Sequence, residues 1–238
     1  MKPQLTLRLP PLAIRSVTLD LDGTLLDTVP DLCAAANGML LELNLPLRSE
    51  NEIRNFVGRG IANLVLRCLS RDESPSAEDH ARALAVFQRH YALTNGRASR
   101  FFPGVVSGLE SFRRMGLKMA VITYKAAAFT GPLLSATGLA EYLEFAVSGD
   151  SLAEKKPHPL PLLYACERLG TRVENNLHIG DSKHDAEAAR AAGCPVFCVP
   201  YGYNEGEDVR GLDCDAIVAS IEEAAEIVNA AIVTTDAT

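Results

Sequence analysis

No apolar run in the 238-residue chain reaches the roughly 18 residues that a membrane span requires. The stretch up to Pro11 is interrupted by Pro3 and Pro10 and carries no small-residue cleavage pattern, so no export signal is read there. A soluble protein with no membrane partner is expected. Positive charge is also scarce: 23 Lys and Arg stand against 30 Asp and Glu, a formal net charge of −7. Binding to a nucleic-acid backbone depends on clustered cations, so no nucleic-acid scaffold is expected, although a small anion can bind where positive charge is local. A disulfide framework is missing too. The six cysteines are scattered, with Cys33, Cys68 and Cys166 in helix-like segments and Cys198 in a strand-like one, which suits a reducing, cytoplasmic setting. Cys194 and Cys198 stand close, but Pro195-Val196-Phe197 between them reads as a core strand, so both are read as buried thiols rather than zinc ligands. Repeats and low-complexity tracts are absent. Pro10-Pro11 reads as a loose lead-in and residues 233–238 as a frayed tail.

Strand-like runs occupy residues 16–21, 118–123, 145–148, 177–179, 195–199 and 216–218, with helical patterns between nearly all of them. The alternation predicts an α/β fold: a doubly wound, mostly parallel, Rossmann-like sheet whose ligands gather beyond the carboxyl ends of its strands. One interval breaks the rhythm. The first two strands lie about 100 residues apart, where a βαβ unit needs about 30. Residues 29 to 98 hold four helical patterns and no strand. Leu32, Ala36, Met39, Leu40 and Leu43 form the stripe of the first. The second opens with a capping box from Ser49 to Glu52, and Gly58 and Gly60 break it before a third resumes at Ile61; the fourth runs from Ser76 to Gly96. These patterns predict a small inserted helical cap domain, residues 29–98, over a catalytic core of residues 1–28 and 99–238. Short connections near Thr28 and Arg100 are expected to serve as a hinge.

The run from Val17 to Leu25 sets two carboxylates, Asp20 and Asp22, beneath a glycine turn at the end of an apolar strand. Like charges this close are costly unless a cation or a proton joins them. Thr123, Lys156, and Asp181 with Asp185 fall at the same sheet edge. Each has a bland reading alone: Thr123 can close a strand, Lys156 can be solvated, and Asp181 can cap the helix near Lys183. Convergence from distant segments favours a functional site. Four carboxylates bring −4 and Lys156 returns +1, so a phosphate dianion needs a further cation, and the oxygen donors suit Mg2+. In the chemistry these groups support, Asp20 attacks phosphorus to form an aspartyl phosphate and Asp22 serves as acid and then base. Thr123 and Lys156 hold the phosphoryl oxygens. Asp181 ligates the metal, and Asp185 acts on a metal water or orients the shell. Gly23, followed by Thr24, lets backbone amides approach the phosphate.

At these residues the chain resembles the haloacid dehalogenase superfamily of phosphatases. The match comprises Asp20-Leu21-Asp22-Gly23-Thr24, Thr123 after a hydrophobic strand, Lys156-Pro157-His158-Pro159, and Gly180-Asp181-Ser182-Lys183-His184-Asp185, in the family's order and across nearly the whole chain. The resemblance implies that Asp20 is the nucleophile, that Asp22 is the acid/base, and that Asp20, the Asp22 backbone carbonyl and Asp181 bind magnesium. It also implies that the insert is the smaller cap type of that family. Within the superfamily, Leu25 to Leu32, Phe102-Pro103-Gly104-Val105 and Tyr201-Gly202-Tyr203-Asn204 with Gly206-Glu207 are similar to members that hydrolyse 2-phosphoglycolate, the expected substrate. One departure stands out: relatives commonly read Thr-Asn-Lys-Pro where this chain has Thr123-Tyr124-Lys125-Ala126. The bulkier Tyr124 is less able to bond a small carboxylate.

The cap offers a candidate for specificity. Arg59, in Val57-Gly58-Arg59-Gly60, occupies a glycine-flanked break between helices from which it is expected to reach a substrate carboxylate. His178 reads as a packed strand histidine, and His158 as part of the loop presenting Lys156. The expected partner is a small phosphorylated metabolite, and the expected assembly a monomer or homodimer. A sugar-phosphate phosphatase or a phosphoglucomutase-like phosphotransferase is the runner-up. A phospho-aspartate receiver module would share the sheet, the acidic residues, the Thr and the Lys, but the helical insert and Asp22 argue against it. Halide release has no use for Asp22, and a catalytically dead module would have lost a motif residue.

Overall fold

The computed structural model describes residues 13–70 and 74–235. The Pro10-Pro11 lead-in lies outside them. Six strands form one sheet: β1 (Ser16–Leu19), β4 (Lys118–Ile122), β5 (Phe145–Val147), β6 (Asn176–Gly180), β7 (Val196–Cys198) and β8 (Ala216–Ile217). Their order is β5-β4-β1-β6-β7-β8, and every pairing is parallel. The α/β, doubly wound architecture is therefore the one expected. Helices α5 (Val105–Arg114), α6 (Ala127–Thr137), α7 (Leu160–Leu169), α8 (Lys183–Ala192) and α9 (Ile221–Thr235) make the crossovers and cover the sheet. Helix α9 continues through Thr235, so the tail expected from Val233 begins no earlier than Asp236, and residues 236–238 lie outside the described part.

Central strand β1 explains why the site forms where it does. All four of its residues are buried, because parallel strands are covered on both faces. Val17 and Leu19 enter one apolar cluster with Val121, Ile179 and Phe112. Ser16 and Thr18 alternate to the other side, as the two-residue period demands. Their register sets Ser16 opposite Asn176 and Thr18 opposite His178, and the hydroxyls bond across: Ser16 Oγ donates to Asn176 Oδ1 at 2.8 Å, and Thr18 Oγ1 lies 3.0 Å from His178 Nδ1. A satisfied polar ladder thus runs through the middle of the sheet toward its carboxyl edge.

Between β1 and β4 lie α1 (Val29–Glu42), α2 (Glu50–Phe56), α3 (Ile61–Leu69) and α4 (Ala77–Thr94). The Ser49–Glu52 capping box opens α2 as its sequence dictates, and Ser76 caps α4. These four helices pack around their own apolar cluster, which includes Met39, Ile53, Val65, Phe87 and Tyr91. Tyr203, from the loop after β7, joins that cluster and couples it to the sheet.

The connections hold features the sequence pattern did not reveal. Strands β2 (Leu26–Asp27) and β3 (Arg100–Phe101) pair antiparallel and tie the outgoing segment to the returning one. Asp31, in the first turn of α1, is 1% exposed and gathers four donors from the return segment: the N–H groups of Gly96, Ala98 and Ser99, and Ser99 Oγ at 2.6 Å. Two-residue strands lie below any periodicity, and one acidic residue at a helix start looks like ordinary N-terminal charge. Among the described residues no helix is long and apolar enough to cross a membrane. Cys194 and Cys198 are buried free thiols.

Candidate active site

Asp20 follows β1, Thr123 follows β4 and Asp181 follows β6, so the parallel register of three adjacent strands delivers three polar side chains to one edge. All three are buried, at 8%, 4% and 4% exposure, and so is Lys156 at 3%, which excludes the reading of a solvated lysine. Lys156 arrives from the loop after β5, and Asp185 from the first turn of α8. Lys156 Nζ stands 2.6 Å from Asp20 Oδ1, 2.6 Å from Asp185 Oδ1 and 2.9 Å from the Ile122 carbonyl. Ligand atoms of Asp20, Asp181 and Asp185 all lie within 4.8 Å of one another.

Asp185 is engaged through both oxygens. Oδ1 accepts from Lys156 and from His178 Nε2 at 3.1 Å, while Oδ2 accepts from Ser182 Oγ at 2.6 Å and from the Ser182 N–H in the capping box of α8. The helix cap near Lys183 is thus Ser182, not Asp181. His178 is the packed strand histidine expected, and it also acts on the site: donation from Nε2 leaves Nδ1 to accept from Thr18. Burial holds its ring in the neutral form.

Asp181 is clamped in place. Its Oδ1 accepts from Thr24 Oγ1 at 2.9 Å and its Oδ2 from the Tyr203 N–H at 2.7 Å. A Cβ on Gly23, where φ is +94°, would stand 2.4 Å from Asp181 Oδ2, and one on Gly202 would stand 2.2 Å from it. Gly23 and Thr24 therefore shape the seat of Asp181, and neither lines the cavity at the sheet edge.

Asp22 sits apart from the three-carboxylate cluster. Its Oδ1 accepts from Thr28 Oγ1 at 2.6 Å and lies 3.0 Å from Lys125 Nζ. Lys125, 4% exposed, also donates to Tyr91 Oη of α4, so one ammonium joins the motif loop to the inserted helices. Burial disfavours its charge, yet Asp22 and Tyr91 more than compensate and hold it protonated. This second buried cation was missing from the charge count made on sequence. Corrected, the site carries four carboxylates and two ammonium groups. The signal was present, since Lys125 stands two residues past Thr123 in the stretch compared with the family.

The titration of the cluster reflects its crowding. Burial raises the Asp20 carboxyl well above its usual range, with Lys156 opposing and Asp185 and Asp181 reinforcing. Burial, then repulsion from Asp185, pushes Asp181 up to about 7 against the Tyr203 and Thr24 hydrogen bonds. Burial would raise Asp185 as well, but Lys156 and His178 hold it far below the normal carboxylate range. An all-oxygen cluster with two carboxyls pushed toward protonation has the composition of a site for a hard divalent cation. Such a cation would be held by Asp20 and Asp181, with Asp185 in reach.

A pH-dependent stabilisation follows. The folded Asp181 carboxyl is raised to about 7 from 3.8, so the folded state binds the extra proton and stability falls as pH rises from about 4 to about 7. Asp185 acts in the opposite sense: its contribution is present above its unfolded value of 3.8 and lost only as pH falls through its depressed folded value. A divalent cation at ~100 times its Kd is expected to raise Tm by roughly 5–10 °C at pH 8. Protons compete for the same oxygens at pH 5, where the gain should be far smaller. Scanning calorimetry with magnesium and with chelator checks this; equal gains at both pH values would sever the cation from these carboxylates.

Tyr124 and Arg59 complete the set of expected residues. The Tyr124 hydroxyl donates to the Lys156 carbonyl, and the ring forms one wall of the cavity. Arg59 is directed elsewhere. It is about half exposed, its Nε lies 2.8 Å from Glu205 Oε1 and its Nη2 2.9 Å from Glu205 Oε2, and it is not among the cavity-lining residues. Its guanidinium bridges the α2–α3 break to the loop after β7, with Arg67 and Lys183 also near Glu205. His158 accepts from the Leu160 N–H within the exposed loop that follows Lys156.

Residues 17–199 match the family model for haloacid dehalogenase-like hydrolases. The chain is 52% identical over 223 residues to the phosphoglycolate phosphatase of Thiobacillus denitrificans, spanning 93% of this chain and 98% of that protein. Against the phosphoglycolate phosphatase of Escherichia coli K12 the identity is 36% over 228 residues, covering 88% and 90%. Among solved structures, a predicted phosphoglycolate phosphatase from Haemophilus somnus superimposes with a TM-score of 0.85 at 31% identity, over 90% of this chain and 98% of that one.

Proposed function

The chain belongs to the haloacid dehalogenase-like hydrolases and is a phosphoric monoester hydrolase; on that premise we propose that it converts 2-phosphoglycolate to glycolate and inorganic phosphate with Mg2+. The observation carrying the mechanism is the placement of Asp20: a buried carboxylate at the end of the central strand, 2.6 Å from the Lys156 ammonium and within 4.8 Å of two further acids.

Asp20 supplies the carboxylate oxygen that attacks phosphorus, forming an aspartyl phosphate as the bond to the glycolate oxygen breaks. Asp22 gives that oxygen its proton, then accepts one from the water that cleaves the intermediate. Thr28 and Lys125 both meet Asp22 at Oδ1, which leaves Oδ2 for the proton exchange. Lys125 and Thr28 hold Asp22 in one orientation. Lys156 and the Thr123 hydroxyl hold phosphoryl oxygens whose charge shifts along the line of displacement. Magnesium would be held by Asp20, Asp181 and the Asp22 backbone carbonyl, and when bound it would supply positive charge to those oxygens. Asp185 fixes Lys156 and orients the metal's surroundings. The inserted helices serve as a cap over this edge, with residues 29–98 as the cap unit and the paired β2 and β3 segments as its joint. The setting is cytoplasmic, and neither membrane nor nucleic acid takes part.

Phosphate release decides the substrate. With Mg2+ present, 2-phosphoglycolate is expected to turn over at ~1–10³ s⁻¹, with a kcat/KM at least about tenfold above that for hexose and pentose monophosphates. Chelation is expected to abolish it. Equal or greater efficiency with a sugar phosphate would overturn the assignment, and conversion of one sugar phosphate into its isomer would replace hydrolysis by phosphoryl return.

A further inference from the structure

His184 has no counterpart in the roles assigned so far. It is 8% exposed, lines the same cavity as Asp20 and Lys156, and both of its ring nitrogens are buried without a hydrogen-bond partner. Buried imidazoles are ordinarily bonded through at least one nitrogen, so a ring wholly without partners at a cavity wall calls for a missing one. The imidazole and the Tyr124 ring pack edge to face at a centroid separation of 5.7 Å and an interplanar angle of 72°.

Accounting for the donors around the cavity gives this ring a task. A carboxylated phosphate ester brings two anionic ends, and the phosphoryl end takes Thr123 and Lys156. The remaining cations are spoken for: Lys125 by Asp22, Lys183 by Glu207 at 2.8 Å and Glu205 at 3.6 Å, and Arg59 by Glu205. Other polar groups on the wall are engaged as well. Tyr124 donates to the Lys156 carbonyl, Tyr203 Oη donates to Asp27 Oδ1 at 2.7 Å, Ser182 Oγ to Asp185, and Asn204 Nδ2 to the Glu207 carbonyl at 3.0 Å. Among the described residues, two free donor sets on this wall suit a carboxylate. One is the ring N–H of His184, which a neutral imidazole carries in either tautomer. The other is the first turn of α3, whose N-cap Gly60 contributes no side-chain bond and whose Gly60 and Ile61 line the cavity. Orphan amides at a helix start attract a carboxylate.

We propose that His184 is the specificity residue of this phosphatase, donating a ring N–H to the carboxylate of the substrate, which lies between it and the N-terminus of α3. The assignment rests on the 2-phosphoglycolate reading. It also accounts for the tolerance of Tyr124, whose role becomes that of a wall holding the imidazole in place of a donor to the carboxylate.

The test compares 2-phosphoglycolate with ethyl phosphate, a monoester of similar size without the carboxylate. Selectivity, as the ratio of the two kcat/KM values, is expected to fall about tenfold or more in His184→Ala, carried by KM for 2-phosphoglycolate. His184→Gln, which keeps an N–H donor of similar reach, is expected to recover part of the loss. His184→Leu is expected to melt at the wild-type temperature or above, since it removes an unpartnered polar ring; a purely structural histidine would lower Tm. A proportional effect of His184→Ala on both esters, or a Tm drop in His184→Leu with selectivity intact, overturns the carboxylate role. Wild-type enzyme with no preference between the two esters overturns the substrate reading and this assignment with it, an outcome visible before any variant is made.

Discussion

Asp20→Asn is expected to lower kcat for 2-phosphoglycolate by at least about 10⁴-fold while leaving the protein folded. The amide keeps the size of the carboxylate and an oxygen for Lys156 to bond, but it is not a nucleophile. Stability should move the other way. Burial and the neighbouring Asp185 and Asp181 charges already push Asp20 toward its neutral form, so a neutral isostere relieves repulsion within the cluster. Lys156 retains Asp185 at 2.6 Å and the Ile122 carbonyl at 2.9 Å. A Tm equal to or above that of the wild type, with near-complete loss of phosphate release, is the expected pair of results. Such opposition between stability and activity is characteristic of charges assembled for chemistry. Turnover within tenfold of wild type would remove Asp20 from the nucleophile's position.

Lys156→Met should damage both properties. Its ammonium is the shared counter-ion of Asp20 and Asp185, and methionine fills the same volume without charge. Breaking a buried pair by removing one partner costs about 3–5 kcal/mol, because the other charge is left unpaired. For a protein of this size that corresponds to a Tm lower by roughly 6–20 °C. The deficit should be largest at neutral pH. In the wild type the Asp185 contribution is present above the unfolded value of 3.8 and persists until pH falls through the depressed folded value, whereas in the variant both acids can protonate as pH drops. Loss of the cation beside the phosphoryl group is expected to lower kcat by at least about 10²-fold. A Tm deficit that stays constant from pH 7.5 to 5 would show that unpaired carboxylates are not its cause.

The ladder from Thr18 through His178 and Asp185 to Lys156 explains why the two variants diverge. Asp20 lies at the open end of this chain of contacts, and Lys156 lies within it. A change at the end relieves charge, and a change inside strands it. His178 illustrates how far sequence alone could go. A lone histidine amid Leu177 and Ile179 reads as a packed strand residue, which it is. Its bond to Asp185 depends on the β1–β6 register and on the first turn of α8 returning over the sheet, neither of which one-dimensional spacing encodes.

Several misses share that origin. Lys125 was legible as a residue, but its selection of Asp22 and Tyr91 requires α4 to descend onto the loop after β4. The expectation that Arg59 reaches a substrate carboxylate rests on its glycine-flanked position, and only the fold shows Glu205, with a left-handed backbone at φ +52°, meeting it from 146 positions along the chain. His184 gave no sign at all, since a polar residue in a helix's first turn is commonplace. Gly23 is expected to leave room for a phosphate, and the fold adds a second constraint that spacing does not show: a side chain there would meet Asp181.

By itself the sequence determined the alternating α/β order, the helical insert and the four motifs, because apolar period, capping residues and turn glycines act between near neighbours. It also carried the family, since the reacting groups are few and their order is invariant under folding. Only the tertiary structure decided which cation answers which carboxylate, which glycine yields to which side chain, and which donors remain free for a ligand. Those outcomes depend on distances between segments well separated in sequence, by 29 positions for Lys156 and Asp185 and by 136 for Lys156 and Asp20, set by strand register and helix packing.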